Sequence, residues 1–481
     1  MDGRRLRELA GDCVHCGFCL PSCPTYELWG EEMDSPRGRI YLMTQVLDGA
    51  ELSAAAAEHF DRCLGCMACV TACPSGVHYD RLIEAARTWL EEPGDRSTGT
   101  GEAAGALGTG PAGAGPVGTE GAGGSAADGA GGRVVVRGEG SGGRHRPLRD
   151  RAARSAIFAV FPYPRRLRAL SGPLRALQRT GLDRLVARSG LPGRISPTLG
   201  AAMNLAPRQD AAVPRGRLPE LVPARGARRA VVGMLTGCVQ SVYFPQVNIA
   251  TARVLAAEGC DVVIPRDQGC CGALSLHSGR AAEAARFAHR TIETFERAGV
   301  DAIVVNSAGC GSAMKEYAEV LADDPAWAAR AEALSGKVRD FAEFLSGLYR
   351  TGGGPVAARH PLPVRAAYHD ACHLAHAQRI TAAPRELLGG IPGLELAEIA
   401  DAGTCCGSAG VYNLVQPEAA RELGERKAAS VRDTGASLLI SANPGCSLQI
   451  ASALEAQGER IAVAHTAEIL DASIRGVAAP A

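Results

Sequence analysis

Residues 13–24 read CVHCGFCLPSCP, and residues 63–74 repeat the pattern as CLGCMACVTACP. The first run places Cys13, Cys16, Cys19 and Cys23 before Pro24; the second places Cys63, Cys66, Cys69 and Cys73 before Pro74. Three thiolates two residues apart can wrap one corner of a cube of iron and sulfide. The fourth, displaced by one more residue and turned by proline, points to the cube held by the other run. The spacing therefore assigns Cys13, Cys16, Cys19 and Cys73 to one [4Fe–4S] cluster and Cys63, Cys66, Cys69 and Cys23 to a second. Val14, Gly17, Gly65, Ala68, Val70 and Ala72 are expected to let amides approach the sulfurs and to exclude water. His15 and His78 lie beside the runs, readable as donors to sulfur or as plain surface groups. The rival cofactor is structural zinc, which usually joins two cysteine pairs across a longer loop into one tetrahedron.

Outward from the clusters, residues 97–143 hold 18 Gly and no aromatic residue, which reads as a flexible linker. Residues 144–194 carry 13 Arg against Asp150 and Asp183, with Leu167, Leu170, Leu174 and Leu177 at helical spacing between Pro and Gly breaks. Short amphipathic helices are expected there. Their basic face reads either as a dock for anionic lipid or a partner subunit, or as compositional bias on a helical hairpin.

Beyond about residue 228 the text repeats itself. One copy runs AVVGMLTG to Cys238, CDVVIP to the doublet Cys270-Cys271-Gly272, a helical stretch over 279–298, and AIVVNSAG to Cys310. The other runs VRAAYHDA to Cys372, the doublet Cys405-Cys406-Gly407, a helix over 417–434, and LLISANPG to Cys446. The intervals are 31 then 38 residues in the first copy and 32 then 39 in the second. Strands alternating with helices predict a mainly parallel α/β unit present twice, with each cysteine at the carboxyl edge of its sheet. Cys238, Cys270, Cys271 and Cys310, and likewise Cys372, Cys405, Cys406 and Cys446, could converge on a further metal–sulfur centre or an acceptor site. Buried small hydrophobes and a thiol redox pair are the alternatives. Cys260 opens a strand and has no counterpart, so it reads as core. His369, Asp370, His373 and His376 surround Cys372, and His277 follows the first doublet; proton relay, acceptor binding and a structural role all suit them.

Composition closes several other doors. Lys+Arg and Asp+Glu both number 51 and aromatics make up 4%, which argues against a nucleic-acid binder working by charge or by base stacking. No apolar run is long enough to span a bilayer, and residues 1–12 lack the apolar core of a secretory signal. Seventeen cysteines in such a chain point to metal or redox chemistry, not to disulfides. No Ser/His/Asp triad, P-loop or GxGxxG is visible, so no catalytic residue is assigned. Clusters without a hydride-handling site describe a wire, not the place where substrate is oxidised.

The string CVHCGFCLPSCPTYELWGEEMDSPRGRIYLM (13–43), with RCLGCMACVTACPSGVHYDRLIE (62–84) and the paired Cys-Cys-Gly repeats, resembles the glycolate oxidase iron–sulfur subunit family. Similar architecture occurs in the iron–sulfur subunits of anaerobic glycerol-3-phosphate dehydrogenase, lactate-oxidising systems and heterodisulfide reductase. The resemblance covers about residues 1–95 and 228–470, and PRGRI (36–40) with the Pro-Thr-Tyr after Cys23 tips it toward glycolate oxidase. It implies a complex in which a separate FAD-containing dehydrogenase subunit turns glycolate into glyoxylate. Electrons would then pass through this chain to a quinone or another acceptor. It also implies a cytoplasmic protein, peripheral on the inner face of the cell membrane. In heterodisulfide reductase the repeat ends Cys-x-x-Cys; here Ala313 and Gln449 stand in the last place, leaving four cysteines per repeat. A zinc-bound interaction scaffold and a disulfide-reducing enzyme working from the repeats alone are the rivals of another class.

The expected fold is thus α plus α/β. An all-helical ferredoxin-like domain (1–96) is followed by the linker (97–143) and an Arg-rich helical segment (144–227). Two tandem cysteine-rich domains (228–355 and 356–481) complete the chain.

Overall fold

The structure, a computed structural model, describes residues 3–91, 146–207 and 218–480. The Gly-rich stretch read as a flexible linker lies outside the described residues.

The regular structure of residues 3–91 is all helical, with helices Gly3–Gly11, Pro24–Trp29, Pro36–Leu47, Ala54–Arg62, Ala68–Ala72 and Tyr79–Glu91, a single turn of 3-10 helix at Glu32–Asp34 and no strand. Local chemistry starts them. Ser35 accepts from the Gly38 amide with Pro36 at the first helical position, and Ser53 accepts from Ala56. Tyr79–Glu91 buries Leu82, Ile83, Ala86 and Leu90 on one face, against Leu6, Leu9, Ile40, Met43 and Phe60.

Helices Leu148–Val160, Pro164–Thr180, Leu182–Arg188, Leu191–Ile195 and Pro197–Asn204 follow. Pro173 does not break its helix as expected but lies inside Pro164–Thr180. The carbonyl it leaves without a donor belongs to Ala169, which is exposed and can be hydrated. The segment is tied to the head by ion pairs. Arg146 donates to both oxygens of Asp61 at 2.6 and 2.7 Å and also pairs with Glu91, while Arg154 lies 3.4 Å from Asp61.

The nine strands among the described residues are β1 (Leu221–Val222), β2 (Ala230–Leu235), β3 (Cys260–Val263), β4 (Ala302–Val305), β5 (Val338–Asp340), β6 (Val364–His369), β7 (Leu394–Glu398), β8 (Leu438–Ser441) and β9 (Ala462–Ala464). They form two sheets, ordered β1-β3-β2-β4-β5 and β7-β6-β8-β9. All neighbours are parallel except β1 on β3. Removing β1 leaves one topology twice: β3-β2-β4-β5 matches β7-β6-β8-β9, so the sequence repeat is a repeat of fold. The helical reading of 144–227 misses β1, which forms an antiparallel edge to the first sheet. One apolar core joins the repeats, with Val232, Met234, Val254 and Val262 of the first meeting Tyr368, Leu438, Ile440 and Ile469 of the second. Cys260, wholly buried on β3, belongs to that core.

Candidate metal centres

Both sheets carry their cysteines past the carboxyl ends of the strands. In the first repeat Cys238 follows β2, Cys270 and Cys271 follow β3, and Cys310 lies in helix Ala308–Lys315 after β4. Cys238 Sγ lies 3.7 Å from Cys270 Sγ, and the row of neighbouring thiols continues through Cys271 to Cys310. In the second repeat the chain of contacts runs Cys372, Cys405, Cys406, Cys446. The four expected thiols of each repeat are therefore brought together.

The glycine of each doublet has a physical reason. Gly272 and Gly407 both sit at φ +86°, and a Cβ on Gly407 would lie 2.6 Å from the Ala420 carbonyl oxygen. That turn starts the next helical stretch in repeat one and lets the Gly272 amide donate to Cys270 Sγ at 3.3 Å.

In the head, Cys23, Cys63, Cys66 and Cys69 line one cavity with Thr25, Arg39, Met67 and Tyr79. These are the four thiols that the doubled spacing assigns to one cluster. Cys13, Cys19 and Cys73 are partly buried against the neighbouring core, and Cys16 is exposed. The expectation of water exclusion holds for the second run and fails for the first, where Val14 and Phe18 are about two-thirds exposed or more (70% and 67%). His78 faces solvent with Nδ1 4.0 Å from Asp80, and His15 offers its carbonyl to Arg37 at 3.1 Å.

Charged side chains that no spacing advertises surround the buried run. Arg39 has no exposed surface; it donates to Thr25 Oγ1 (3.1 Å), Asp34 Oδ1 (3.2 Å) and the His59 carbonyl (2.7 Å). Tyr79 donates to Cys63 Sγ at 3.5 Å, and Arg87 donates to the Cys63 carbonyl. Burial pushes the Cys63 thiol up, but Arg39, Arg87 and Tyr79 outweigh it and hold the thiol below its ordinary value. Cys66 and Cys69 lie where burial prevails, and their values rise. In the second repeat the buried Lys427 donates to the Asp401 carbonyl at 2.7 Å and faces Cys405, Cys406 and Cys446; burial lowers its value against the pull of those sulfurs.

The histidines divide. His277 Nδ1 meets Glu84 of the head at 3.0 Å, and its ring lies 4.8 Å from that of His373. His376 bridges Thr71 (2.8 Å) and the Gly403 carbonyl (2.9 Å). Asp370 is held by Arg385 at 2.6 and 2.9 Å. These groups seat the head on the repeats or brace the sheet. His369 differs: it is buried, burial drives it down to about 3, and its imidazole is therefore neutral. The head also touches the second centre directly, since Leu64, Cys66 and Ala68 pack with Cys372 and Cys405 in one apolar cluster.

Comparison with known proteins agrees with this anatomy. A 4Fe-4S dicluster domain model matches residues 10–77, and a cysteine-rich domain model matches 232–315 and 366–451. A model described as the glycolate oxidase iron-sulfur subunit linker region matches 149–206, the stretch read here as Arg-rich helices. The probable glycolate oxidase iron-sulfur subunit of Bacillus subtilis (strain 168) is 34% identical over 463 residues, 95% of this chain and 93% of that protein. The glycolate oxidase iron-sulfur subunit of Escherichia coli (strain K12) is 32% identical over 470 residues, 96% and 93%. Lactate utilization protein A of Shouchella clausii (strain KSM-K16) is 36% identical over 241 residues, half of this chain and 98% of that protein. Matching at this identity along almost its whole length, with cysteines suited to iron–sulfur cofactors, the chain belongs to the glycolate oxidase iron–sulfur subunit family.

Proposed function

We propose that this chain is the electron-transfer subunit of a glycolate-oxidising complex and does not oxidise substrate by itself. Cys13, Cys16, Cys19 and Cys73 hold one [4Fe–4S] cluster, and Cys63, Cys66, Cys69 and Cys23 hold the other. The clusters supply one-electron storage between a two-electron flavin donor and the acceptor. The observation that carries the reading is the joint placement of Cys66 against Cys372 and Cys405, which sets the buried run of the head beside the second repeat. Arg39, Arg87 and Tyr79 favour added electrons at Cys63 by charge and hydrogen bonding. The exposed run around Cys16 is the side open to an FAD-containing partner, and a quinone is the acceptor class this reading favours.

The helical segment is the proposed membrane contact. Arg146 and Arg154 are spent on the head, and Arg149, Arg151 and Arg165 are exposed. No helix among the described residues is long and apolar enough to cross a membrane, so the contact proposed is peripheral and loosened by salt. Washing membranes at low and high ionic strength tests it: release at high salt supports the seat, and retention contradicts it.

The match to lactate utilization protein A over half of this chain favours lactate as the second reading of the substrate. Co-purifying the flavoprotein and adding glycolate, lactate or glycerol 3-phosphate anaerobically separates them. Bleaching of the iron–sulfur absorption by glycolate alone is the expected result; bleaching by lactate alone gives the second reading.

A further inference from the structure

The two repeats share a topology, but not the residue three positions before the first cysteine. Leu235 ends β2 ahead of Cys238, and His369 ends β6 ahead of Cys372. Register confirms the equivalence, because Leu235 pairs with Val305 on β4 and His369 with Ser441 on β8. Each of those partners lies five residues before the last cysteine of its repeat, Cys310 or Cys446. An apolar pair in one repeat is thus a polar pair in the other, at equal depth.

His369 is 1% exposed, and neither ring nitrogen finds a hydrogen-bond partner among the described residues. Buried polar atoms are seldom left so, and the equivalent leucine shows that the fold does not require a polar group there. A ring nitrogen of His369 and the sulfurs of Cys406 and Cys446 all lie within 4.8 Å of one another. Cys405 and Cys372 continue the same chain of sulfur contacts. Gln449, which occupies the place of a fifth cysteine, is turned away: it accepts from Asn413 at 3.1 Å and donates to the Ala420 carbonyl at 2.7 Å. His373 also abuts Cys372, its Nδ1 3.6 Å from that sulfur, but its ring packs at a tilt of 47° against His277 of the first repeat.

We infer that His369 is a metal ligand, and that the second repeat binds iron through a mixed set of one imidazole and the thiolates of Cys372, Cys405, Cys406 and Cys446. Cys372 and Cys405 extend the sulfur chain beyond the three donors grouped within 4.8 Å, a spread that suits a multi-iron sulfide centre better than a single tetrahedral zinc ion. A neutral imidazole adds a ligand without adding negative charge, so the centre keeps a higher reduction potential than a fifth thiolate would give it, as in clusters ligated by both residue types. The first repeat, with Leu235 in that place, has thiolates alone. The inference rests on the iron–sulfur reading of the head, and its test keeps the two apart.

The full chain is purified anaerobically as wild type, His369→Leu and His369→Cys. Iron, sulfide and zinc are counted, and pulsed EPR is recorded on protein containing 15N-histidine. The wild type is expected to hold more iron than the roughly eight atoms of two cubanes. It should also show a directly bonded nitrogen coupling that changes with the isotope. His369→Leu should lose that coupling and the extra iron while keeping both head clusters. His369→Cys should lose the coupling, keep the iron, and lower the potential of that centre. Head clusters without extra iron, zinc in its place, or a coupling that survives both substitutions would overturn the inference and leave the proposed function standing. A wild type without any iron would overturn both.

Discussion

Asp34 has no exposed surface and receives Arg39 at 3.2 Å, His59 at 2.9 Å and Arg62 at 3.0 Å. Its worth lies in what its loss would leave behind, a guanidinium sealed from water among Thr25, Cys23 and Cys63. Breaking a buried pair by removing one partner costs about 3–5 kcal/mol, so Asp34→Ala should lower the stability of the head by about that much. Chemical denaturation followed by the cluster absorption checks it; a loss below about 1 kcal/mol would mean that water reaches Arg39. The cysteines of this site were legible because cluster ligands obey a spacing. Asp34, Arg39, Tyr79 and Lys427 were not, because the fold brings them to sulfur from unrelated points of the chain. PRGRI drew notice only as a family resemblance, and nothing in that string announces that its second arginine is buried.

The strands read from the sequence were β2, β3, β4, β6 and β8, which lie inside the sheets. Those not read were β1, β5, β7 and β9, and every one is an edge. Inner parallel strands are covered on both faces and are mainly apolar, as AIVV is throughout and LLIS is up to Ser441. Edge strands escape that demand: β7 reads LELAE with two acidic residues, and β5 and β9 have three residues each. The Cys-Cys-Gly turns belong to the same scale. Gly407→Ala should cost about 1–2 kcal/mol for left-handed backbone alone. Overlap with the Ala420 carbonyl should add to that and release whatever the second repeat binds. Thermal unfolding and metal content measure both; an unchanged midpoint would show that the turn can relax.

At the scale of the whole molecule, the head is seated on the first repeat through a titratable seam. Glu84 meets His277, Arg81 pairs with Glu319, and the half-buried Glu316 accepts from Ser312 at 3.0 Å. Burial, with Glu84 nearby, lifts Glu316 to about 7, and the bond to Glu84 lifts His277 against its own burial. A raised carboxylic acid favours the folded state when protonated, and that contribution fades as pH climbs from about 4.5 through about 7. A raised histidine fades in the same direction. The seam should therefore be tightest below pH 6 and loosen toward pH 8, seen as faster amide exchange in helix Tyr79–Glu91, and Glu316→Gln should flatten the response. Exchange that slows with rising pH, after correction for the intrinsic rate, would contradict this. The central claim, that the chain stores and passes single electrons on iron–sulfur clusters, is met most directly by counting metal and sulfide in anaerobically purified protein and recording EPR after dithionite reduction. The account predicts at least about eight irons with matching sulfide and two magnetically interacting cubane signals. Stoichiometric zinc without iron, and no signal on reduction, would contradict it.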